Sequence, residues 1–366
     1  MRFPLDLSLT MGRYIAARRL AGVKRFPLVL MLEPLHGCNL HCSGCGRIRE
    51  YADTANQRMS LAECVAAVGE CDAPTVSICG GEPLIYPEIV ELVDQVLARG
   101  KHIYLCTNGQ VLAEKLPAFV ESASRSKARR RRMFRRLYWN VHLDGMEATH
   151  DAIVEKGGAF QKAVAGIEAA KKAGFYVYTN TTLFRQTRIE ELVELGELLT
   201  RLRVDGMMIA PGYGYEAVRC ANQDTANQDE KKVGHENDGE SFFLTNRETH
   251  ERFREIRSRM KRFRVTTTPV YMDFLCGERA LSCAAWANPT RNIRGWKAPC
   301  YLITDNHFAT FRELVGKTDW DRLGPGRDAR CEHCLMHCGF EPAAVLHGGS
   351  LFNLFRLAAW QLGMNR

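Results

Sequence analysis

Short apolar segments alternate with longer amphipathic segments along most of the chain. The apolar, β-rich segments predict strands. They span 26–32, 75–79, 102–108, 138–144, 175–183 and 204–212. Apolar positions at helical spacing predict helices between and after these strands. These span 60–71, 87–100, 159–174, 188–202 and 246–263. Ser60 and Glu63 form a capping box at the start of the first of these helices.

Repeated strand–helix units predict a parallel sheet with right-handed crossovers. Six units are too few for the closed barrel of eight strands. We therefore expect the α/β class and a partial, TIM-like (β/α)6 barrel. Ligands of such sheets bind at the carboxyl ends of the strands.

Two polar stretches interrupt this alternation, and we interpret 122–137 and 219–240 as insertions in the barrel. The first is strongly basic, and the polarity of the second predicts a loop. The expected domain organisation has four parts. These are a helical lead-in at 1–25, the barrel at 26–263, a cysteine-rich extension at 264–345 and an amphipathic helix at 346–366.

The composition is that of an ordinary globular protein, with 46% hydrophobic and 25% charged residues among 366. No apolar run reaches the roughly 20 residues of a membrane span, and the N-terminus lacks the features of a secretory signal. We therefore expect a cytoplasmic protein. Because disulfides are rare in that compartment, the 14 cysteines favour metal binding or redox chemistry.

Three cysteines directly follow the first predicted strand. Cys38, Cys42 and Cys45 have the spacing C-x3-C-x2-C, and thiolates bind iron–sulfur clusters and zinc. Three local ligands would leave one iron of a cubane cluster open to a small molecule. The alternatives are three buried cysteines, or a zinc site completed by His36 or His41.

This spacing, on a loop after the first barrel strand, resembles that of the radical S-adenosylmethionine (SAM) enzymes. The resemblance implies a 4Fe–4S cluster on the three thiolates, with SAM bound to the fourth iron. It also implies that one-electron reduction, by flavodoxin or ferredoxin, splits SAM into methionine and a 5′-deoxyadenosyl radical. The family usually has an aromatic residue where this chain has Gly44. An apolar contact to the adenine must then come from elsewhere, and Ile48 is our candidate.

Further matches follow the later strands. Gly80, Gly81, Glu82 and Pro83 reproduce the family's GGEP motif, which binds the amino group of SAM. Glycines permit close backbone approach, and a carboxylate pairs with an ammonium. The resemblance further implies SAM or substrate contacts from three strand-end residues, with Tyr213 near the adenine. These three are His142, Asp144 and Asn180. The alternatives are a plain turn at Asp144 and a satisfied core amide at Asn180.

A second set of cysteines lies in the extension and is called the auxiliary cysteines. It consists of Cys283, Cys300, Cys331, Cys334 and Cys338. It resembles the extension that holds a second 4Fe–4S cluster in many radical SAM enzymes. Zinc, with His333 or His337 as a further ligand, is the alternative. We interpret the remaining cysteines as packing residues.

Several stretches resemble the radical SAM enzymes of hopanoid lipid biosynthesis more specifically. They include "VSICGGEPL", "DGMMIAPGYGYE" and "CLMHCGFE", and they run from near residue 25 to residue 341. The resemblance implies that the 5′-deoxyadenosyl radical adds to the alkene of the triterpene diploptene. The product radical must then be quenched. Cys106 and Tyr213, at strand ends, are our candidate catalytic residues.

Two features are consistent with a lipid substrate. The C-terminal segment 350–366 places leucines and a phenylalanine at helical spacing, which is typical of interfacial helices. The basic run 125–136 offers contacts to anionic head groups at the inner face of a membrane. The alternatives are a helix packed on its own protein and a solvated loop.

Two other classes compete with this hypothesis. Peptide-modifying radical SAM maturases share the auxiliary cysteines, but they usually carry an N-terminal peptide-binding domain. Only about 25 residues precede the first predicted strand here. A zinc protein that binds nucleic acid through its arginines is the third class. One basic run without a recognisable module supports it weakly, so we expect no nucleic-acid partner.

Overall fold

The chain forms a parallel sheet flanked by helices, followed by a small antiparallel extension. The computed structural model describes residues 2–214, 242–347 and 351–364. The strands are β1 (Val29–Leu32), β2 (Thr75–Ile78), β3 (His102–Thr107), β4 (Leu137–His142), β5 (Tyr176–Leu183), β6 (Gly206–Pro211), β7 (Thr290–Asn292), β8 (Gly295–Pro299) and β9 (Thr304–Phe308). The helices up to β6 are α1 (Leu5–Leu20), α2 (Arg47–Glu50), α3 (Leu61–Cys71), α4 (Ile89–Ala98), α5 (Leu112–Ser124), α6 (Lys127–Arg136), α7 (Glu147–Ile153), α8 (Ala159–Lys172) and α9 (Ile189–Arg201). Those that follow are α10 (Asn246–Arg259), α11 (Pro269–Leu275), α12 (Phe311–Lys317), α13 (His337–His347) and α14 (Leu351–Leu362).

The six predicted strands form one parallel array, in the order β6-β5-β4-β3-β2-β1. This confirms the expected partial (β/α)6 barrel with a C-terminal extension. Three further strands, which the sequence analysis did not predict, continue the sheet beyond β1. β7 pairs with β1 in parallel, and β8 and β9 follow as antiparallel neighbours. The extension therefore lies directly beside the strand that precedes Cys38.

Alternate residues of the strands face two different environments. Those that face the helices, such as Leu30, Leu105 and Trp139, are fully buried. Several of those that face the lumen of the half-barrel, such as Met31, Tyr104 and Cys106, are only half-buried. Period-two alternation in a strand has this effect. Partly exposed side chains thus face the lumen, whereas every residue of β2 is buried.

The lead-in helix α1 closes one end of the barrel. Leu7 packs on Tyr138 and Tyr178 near the amino ends of their strands. Thr10 Oγ1 lies 3.3 Å from Nε2 of His102, the first residue of β3. The carboxyl ends of the strands, where Cys38 follows β1, therefore form the open end.

The basic run is a helix, and the alternative of a solvated loop is wrong for it. Residues 127–136 form α6, and the side chain of Ser126 accepts a hydrogen bond from Arg129 N at its start. Arginine is a good helix former, and two ion pairs hold the helix in place. They join Arg129 to Asp94 at 3.2 Å and Arg136 to Asp6 at 2.9 Å.

The other polar insertion, 219–240, lies outside the described residues. The predicted C-terminal helix forms as α14. Among the described helices, none combines the length and the apolar character that crossing a bilayer requires.

Candidate functional site

The loop after β1 brings the first three cysteines together. We call residues 33–47 the cluster loop. Cys45 N donates to the carbonyl oxygen of Cys42 at 3.0 Å, and Cys38 and Cys42 pack against Leu40 and Val154. Burial, with the charges of neighbouring acidic groups and thiols, raises the pKa of Cys38 to about 11 and that of Cys42 further. Thiolates this close to one another require a cationic group to stay ionised, which bound metal supplies.

The two glycines of the GGEP motif hold the cluster loop at very short range. A Cβ atom on Gly81 would lie 1.8 Å from the carbonyl oxygen of Gly37, and one on Gly80 would lie 2.5 Å from that of Leu35. Gly80 also has φ +109°, which favours glycine. Gly81 N donates to Leu35 O at 3.1 Å, and Glu82 N donates to Gly37 O at 2.9 Å. The loop after β2 thus fixes the backbone that carries the cysteines.

Glu82 is buried and bonded on both carboxylate oxygens. Oε1 accepts from Thr107 Oγ1 at 2.8 Å and from Leu84 N at 3.0 Å, and Oε2 accepts from Asn108 N at 2.8 Å. Burial raises the pKa of Glu82, although these hydrogen bonds oppose the shift. Asn108 Nδ2 in turn lies 3.7 Å from Cys38 Sγ. Glu82 therefore joins the ends of β2 and β3 to the cluster loop, and its contact with the SAM ammonium stays a prediction. Pro83, the last residue of the motif, is buried in a short 3₁₀ turn.

His142, Asp144 and Asn180 lie side by side at the open end of the barrel. His142 Nε2 lies 2.6 Å from Asp144 Oδ2, and Asp144 Oδ1 accepts from Thr182 N at 2.7 Å. Asn180 is the register partner of His142 on the neighbouring strand. Its buried Oδ1 has no hydrogen-bond partner among the described residues. That orphaned acceptor does not fit the alternative of a satisfied core amide.

The His142–Asp144 pair predicts a pH-dependent stability. Burial lowers the pKa of His142, but the Asp144 carboxylate outweighs burial and raises it overall. The resulting stabilisation is fully present below the unfolded pKa of about 6.5 and is lost as pH rises through the higher folded pKa. We expect Asp144→Asn to lower the urea midpoint more at pH 6.5 than at pH 9. Equal losses at both values would show that the pair does not contribute in this way.

Cys106 points into the lumen one layer below His142 and Asn180. Its Sγ lies 3.4 Å from Ser77 Oγ and accepts from Asn140 Nδ2 at 3.5 Å. Burial raises the pKa of Cys106, although both hydrogen bonds oppose the shift. The group is therefore held as a protonated thiol that faces the lumen.

Tyr213 lies near the auxiliary cysteines. Its hydroxyl donates to the carbonyl oxygen of Arg330 at 2.8 Å, and its side chain lines the cavity that those cysteines share. The adenine contact expected for Tyr213 stays a prediction.

An aromatic ring that the sequence analysis missed lies against Gly44. A Cβ atom on Gly44 would approach Phe184 Cζ to 2.8 Å, and the ring of Phe242 packs on that of Phe184 in a tilted arrangement with centroids 4.3 Å apart. The space that an aromatic residue at position 44 would need is thus filled by Phe184, which directly follows β5. In the sequence, only the position of Phe184 at the end of a predicted strand indicated that it could lie at this site. Ile48 is half-buried, and its adenine contact stays a prediction.

All five auxiliary cysteines line one cavity. The packing is close there, since a Cβ atom on Gly339 would lie 2.4 Å from Cys283 Sγ. Burial, and then the charge of neighbouring thiols, raises the pKa of Cys283 to about 12. Neither His333 nor His337 lines the cavity. Burial lowers the pKa of His337 to about 4.

Zinc binding places stricter demands on these positions than a cluster does. Four sulfurs around one zinc ion lie ~3.8 Å apart, from a Zn–S bond of about 2.3 Å. Among the described residues, no group of three or more His, Cys, Asp or Glu side chains is arranged to hold a single ion, which applies to Cys38, Cys42 and Cys45 as well as to the auxiliary cysteines. The zinc alternative therefore gains no support from these positions.

Of the remaining cysteines, Cys64, Cys71 and Cys276 belong to the core, and Cys79 is also buried. Cys220 lies outside the described residues.

A buried ion-pair network joins the cluster loop to the extension. Arg47 Nε lies 3.1 Å from Glu33 Oε1, and Arg47 Nη1 lies 3.0 Å from Glu50 Oε2. Arg47 also donates to the carbonyl oxygen of Tyr301 and covers its ring at 3.8 Å. Lys297 Nζ lies 2.8 Å from Glu50 Oε1 and donates to the same carbonyl at 2.9 Å. Because Tyr301 directly follows an auxiliary cysteine, the network connects the two cysteine sites.

Comparisons with known proteins agree with this geometry. Residues 32–199 match the Radical SAM superfamily, and residues 234–354 match a domain of unknown function, DUF3463. A stretch of 182 residues is 30% identical to the AdoMet-dependent heme synthase of Methanosarcina barkeri, covering 48% of each chain. A stretch of 159 residues is 29% identical to the GTP 3′,8-cyclase of Marinobacter nauticus, covering 43% of this chain and 44% of that one. The chain thus spans about half the length of the curated relatives it matches.

A solved structure shares the fold. That of anSMEcpe with bound AdoMet has a TM-score of 0.52, with 15% identity over 81% of each chain. Residues 32–199, which contain the cluster loop and β2–β5, match the Radical SAM superfamily. Such a match implies a 4Fe–4S cluster and SAM. The three thiols on one short loop and the orphaned Asn180 oxygen have the chemistry that these groups require.

Proposed function

We propose that this chain is a radical SAM enzyme of the adenosylhopane synthase type. It would cleave SAM reductively and add the 5′-deoxyadenosyl radical to the alkene of a hopanoid triterpene such as diploptene. The Cys106 thiol, hydrogen-bonded to Ser77 and Asn140 on the lumen face, is the observation that carries this proposal. Addition to an alkene leaves a carbon radical that becomes the saturated product only by gaining a hydrogen atom, and a thiol in the lumen can supply one. Hydrogen abstraction also leaves a substrate radical, but one that is resolved by oxidation or rearrangement needs no such donor.

Cys38, Cys42 and Cys45 would hold the cluster, and the open end of the barrel would hold SAM. The bound cluster supplies the electron that breaks the carbon–sulfur bond of SAM. Gly81 keeps the cluster loop in place by its close approach. Asn180 Oδ1 is available to accept a hydrogen bond from SAM.

Cys106 would quench the radical formed by addition. The alkene carbon that receives the adenosyl group forms a C–C bond, and its neighbour keeps the unpaired electron. Hydrogen-atom transfer from Cys106 breaks the S–H bond and forms a C–H bond. One electron and one proton then restore the thiol, so the cycle uses two electrons and one proton. We propose reduced flavodoxin or ferredoxin as the electron donor.

Aromatic side chains line the lumen below Cys106. Met31, Tyr104, Tyr138 and Tyr176 belong to one layer of register neighbours, which α1 covers from the amino ends of the strands. An apolar substrate would therefore enter from the open end of the barrel and contact this aromatic layer with its far end. We also propose that the enzyme is cytoplasmic and peripheral to the inner face of a membrane, where a lipid substrate would lie.

We further propose a second 4Fe–4S cluster on four of the five auxiliary cysteines. Their shared cavity and the close packing of Gly339 on Cys283 support this proposal.

The function is tested by incubating reduced, reconstituted enzyme with SAM and diploptene. The expected product has the mass of the adenosyl adduct. Free 5′-deoxyadenosine together with an altered substrate would show a hydrogen-abstracting enzyme instead. An adduct formed only with another isoprenoid would retain the reaction and replace the substrate. Activity on peptides alone would favour a maturase.

The role of Cys106 predicts a specific defect in one variant. Because an O–H bond is much harder to break homolytically than an S–H bond, Cys106→Ser should lower adduct yield at least about tenfold, of the order of one removed catalytic group. Cleavage of SAM should persist. Wild-type product formed in D₂O should carry one deuterium at the former radical carbon, since thiol hydrogens exchange with solvent.

Tyr213→Phe is the matched control for this prediction. Its hydroxyl is bonded to Arg330 beside the auxiliary cysteines, so we expect nearly wild-type adduct yield. Normal yield in Cys106→Ser with loss in Tyr213→Phe would reverse the assignment of the hydrogen donor.

A further inference from the structure

The last helix exposes apolar side chains to solvent. Leu354, Phe355 and Leu362 are 53%, 69% and 56% exposed on α14, and they lie on one face at helical spacing. The charged residue of this helix, Arg356, is turned toward the protein and lies 2.7 Å from Asp273. The outer face of α14 therefore lacks charge. A helix that packs only on its own protein turns its apolar face toward the core and its polar face toward solvent.

The first helix exposes an apolar face as well. Leu5, Leu9 and Leu20 of α1 are 53%, 56% and 90% exposed. Gly12 and Ala16, which lie between them on the same face, are also exposed. Scattered exposed leucines are ordinary in soluble proteins. Two adjacent helices that both expose leucines on one face, however, form a continuous apolar surface.

Hydrogen bonds place the two helices side by side. Gln361 Nε2 donates to Phe3 O at 2.7 Å and to Ser8 Oγ at 2.9 Å. Arg2 N donates to Gln361 O at 2.9 Å, and the ring of Trp360 lies 5.8 Å from that of Phe3. The exposed end of α14 thus adjoins the first turns of α1.

The basic helix α6 ends beside the same turns. Arg136 Nε lies 2.9 Å from Oδ2 of Asp6 in α1. Helix α6 contains seven Lys or Arg residues and no acidic residue. Five of them have no carboxylate partner among the described residues, namely Lys127, Arg130, Arg131, Arg132 and Arg135. Positive charge therefore borders the apolar faces.

We propose that α1, α14 and α6 form one surface that binds an anionic lipid bilayer. Apolar side chains enter the interfacial region of such a bilayer while Lys and Arg contact its head groups. A second copy of the chain fits less well, because it would bring two α6 helices of like charge together. The surface lies at the amino ends of the strands, opposite the cluster loop. The physiological purpose of this surface rests on the proposed lipid substrate. The test of membrane binding does not depend on that substrate.

The test is co-sedimentation of the full-length holoenzyme with vesicles. Binding is expected to phosphatidylcholine vesicles that contain phosphatidylglycerol, and to be much weaker with phosphatidylcholine alone. Phe355→Ser and Leu362→Ser should each weaken binding about tenfold, as expected for one withdrawn apolar side chain. Arg131→Gln should weaken it about fivefold.

Control variants come from exposed residues on other helices. Val315 on α12 is 38% exposed, and Arg247 on α10 is largely exposed, so Val315→Ser and Arg247→Gln should bind like wild type. SAM cleavage without vesicles should be unchanged in all these variants, which separates this proposal from the proposed function. Equal sedimentation with and without vesicles would overturn it. So would a concentration-dependent dimer that the α14 variants abolish.

Discussion

Replacement of Cys38, Cys42 and Cys45 by alanine is expected to abolish SAM cleavage. Thiolates are the ligands that hold 4Fe–4S clusters, and these three are brought together by the loop after β1. The variant should contain about four iron ions per chain, half the wild-type content expected for two cubane clusters. Iron analysis, the EPR spectrum of the reduced protein and the yield of 5′-deoxyadenosine measure these effects.

A core cysteine is the control for this prediction. Cys276 is fully buried among apolar residues, so Cys276→Ala should keep the iron content and the cleavage rate. Conversely, alanine at all five auxiliary cysteines should remove the other half of the iron. Unchanged iron in the first variant would mean that the three residues are not cluster ligands.

Substitution of Gly81 by alanine is expected to disable the site without removing any ligand. The added Cβ would lie 1.8 Å from Gly37 O, so one of the two backbones must move. Displacement of a site by about 1 Å commonly costs about a hundredfold in rate, and overpacking costs about 1–3 kcal/mol of stability. We expect the rate of SAM cleavage to fall at least about a hundredfold. The urea midpoint should fall as well.

Gly69 supplies the matched glycine control. It lies within α3, and a Cβ there would meet nothing within 4 Å. Gly69→Ala should raise stability by about 0.5–1 kcal/mol, because alanine is the better helix former. Its cleavage rate should be unchanged. Wild-type rate and stability in Gly81→Ala would show that the cluster loop is not held by this contact.

The barrel was predictable because its strands are buried and periodic. Each run such as 102–108 has one fully buried face, so hydrophobic alternation marks it. The strands of the extension lack this hydrophobic alternation. β7 has three residues, and β9 is largely exposed and polar. Their pairing with the barrel depends on tertiary contacts that no local pattern records.

The cluster ligands were predictable because their spacing is local, whereas their surroundings were not. The bonding of Glu82 to the end of β3, and the packing of Phe184 against Gly44, join residues far apart in the chain. The buried pairing of Arg47 with Glu33 is also non-local in its effect, since it holds Tyr301 of the extension. Charged residues such as Glu82, Arg47 and Glu33 are usually exposed, so their burial could not be predicted from their residue type.

Three cysteine ligands would leave one iron of the cluster open for SAM. Electron–nuclear double resonance of the reduced enzyme, with SAM labelled with ¹⁵N at its amino group, tests for this bond. We predict a hyperfine coupling between the cluster and the labelled nitrogen, absent in the variant that lacks Cys38, Cys42 and Cys45. A reduced cluster in the wild-type enzyme with no coupling at saturating SAM would contradict the account.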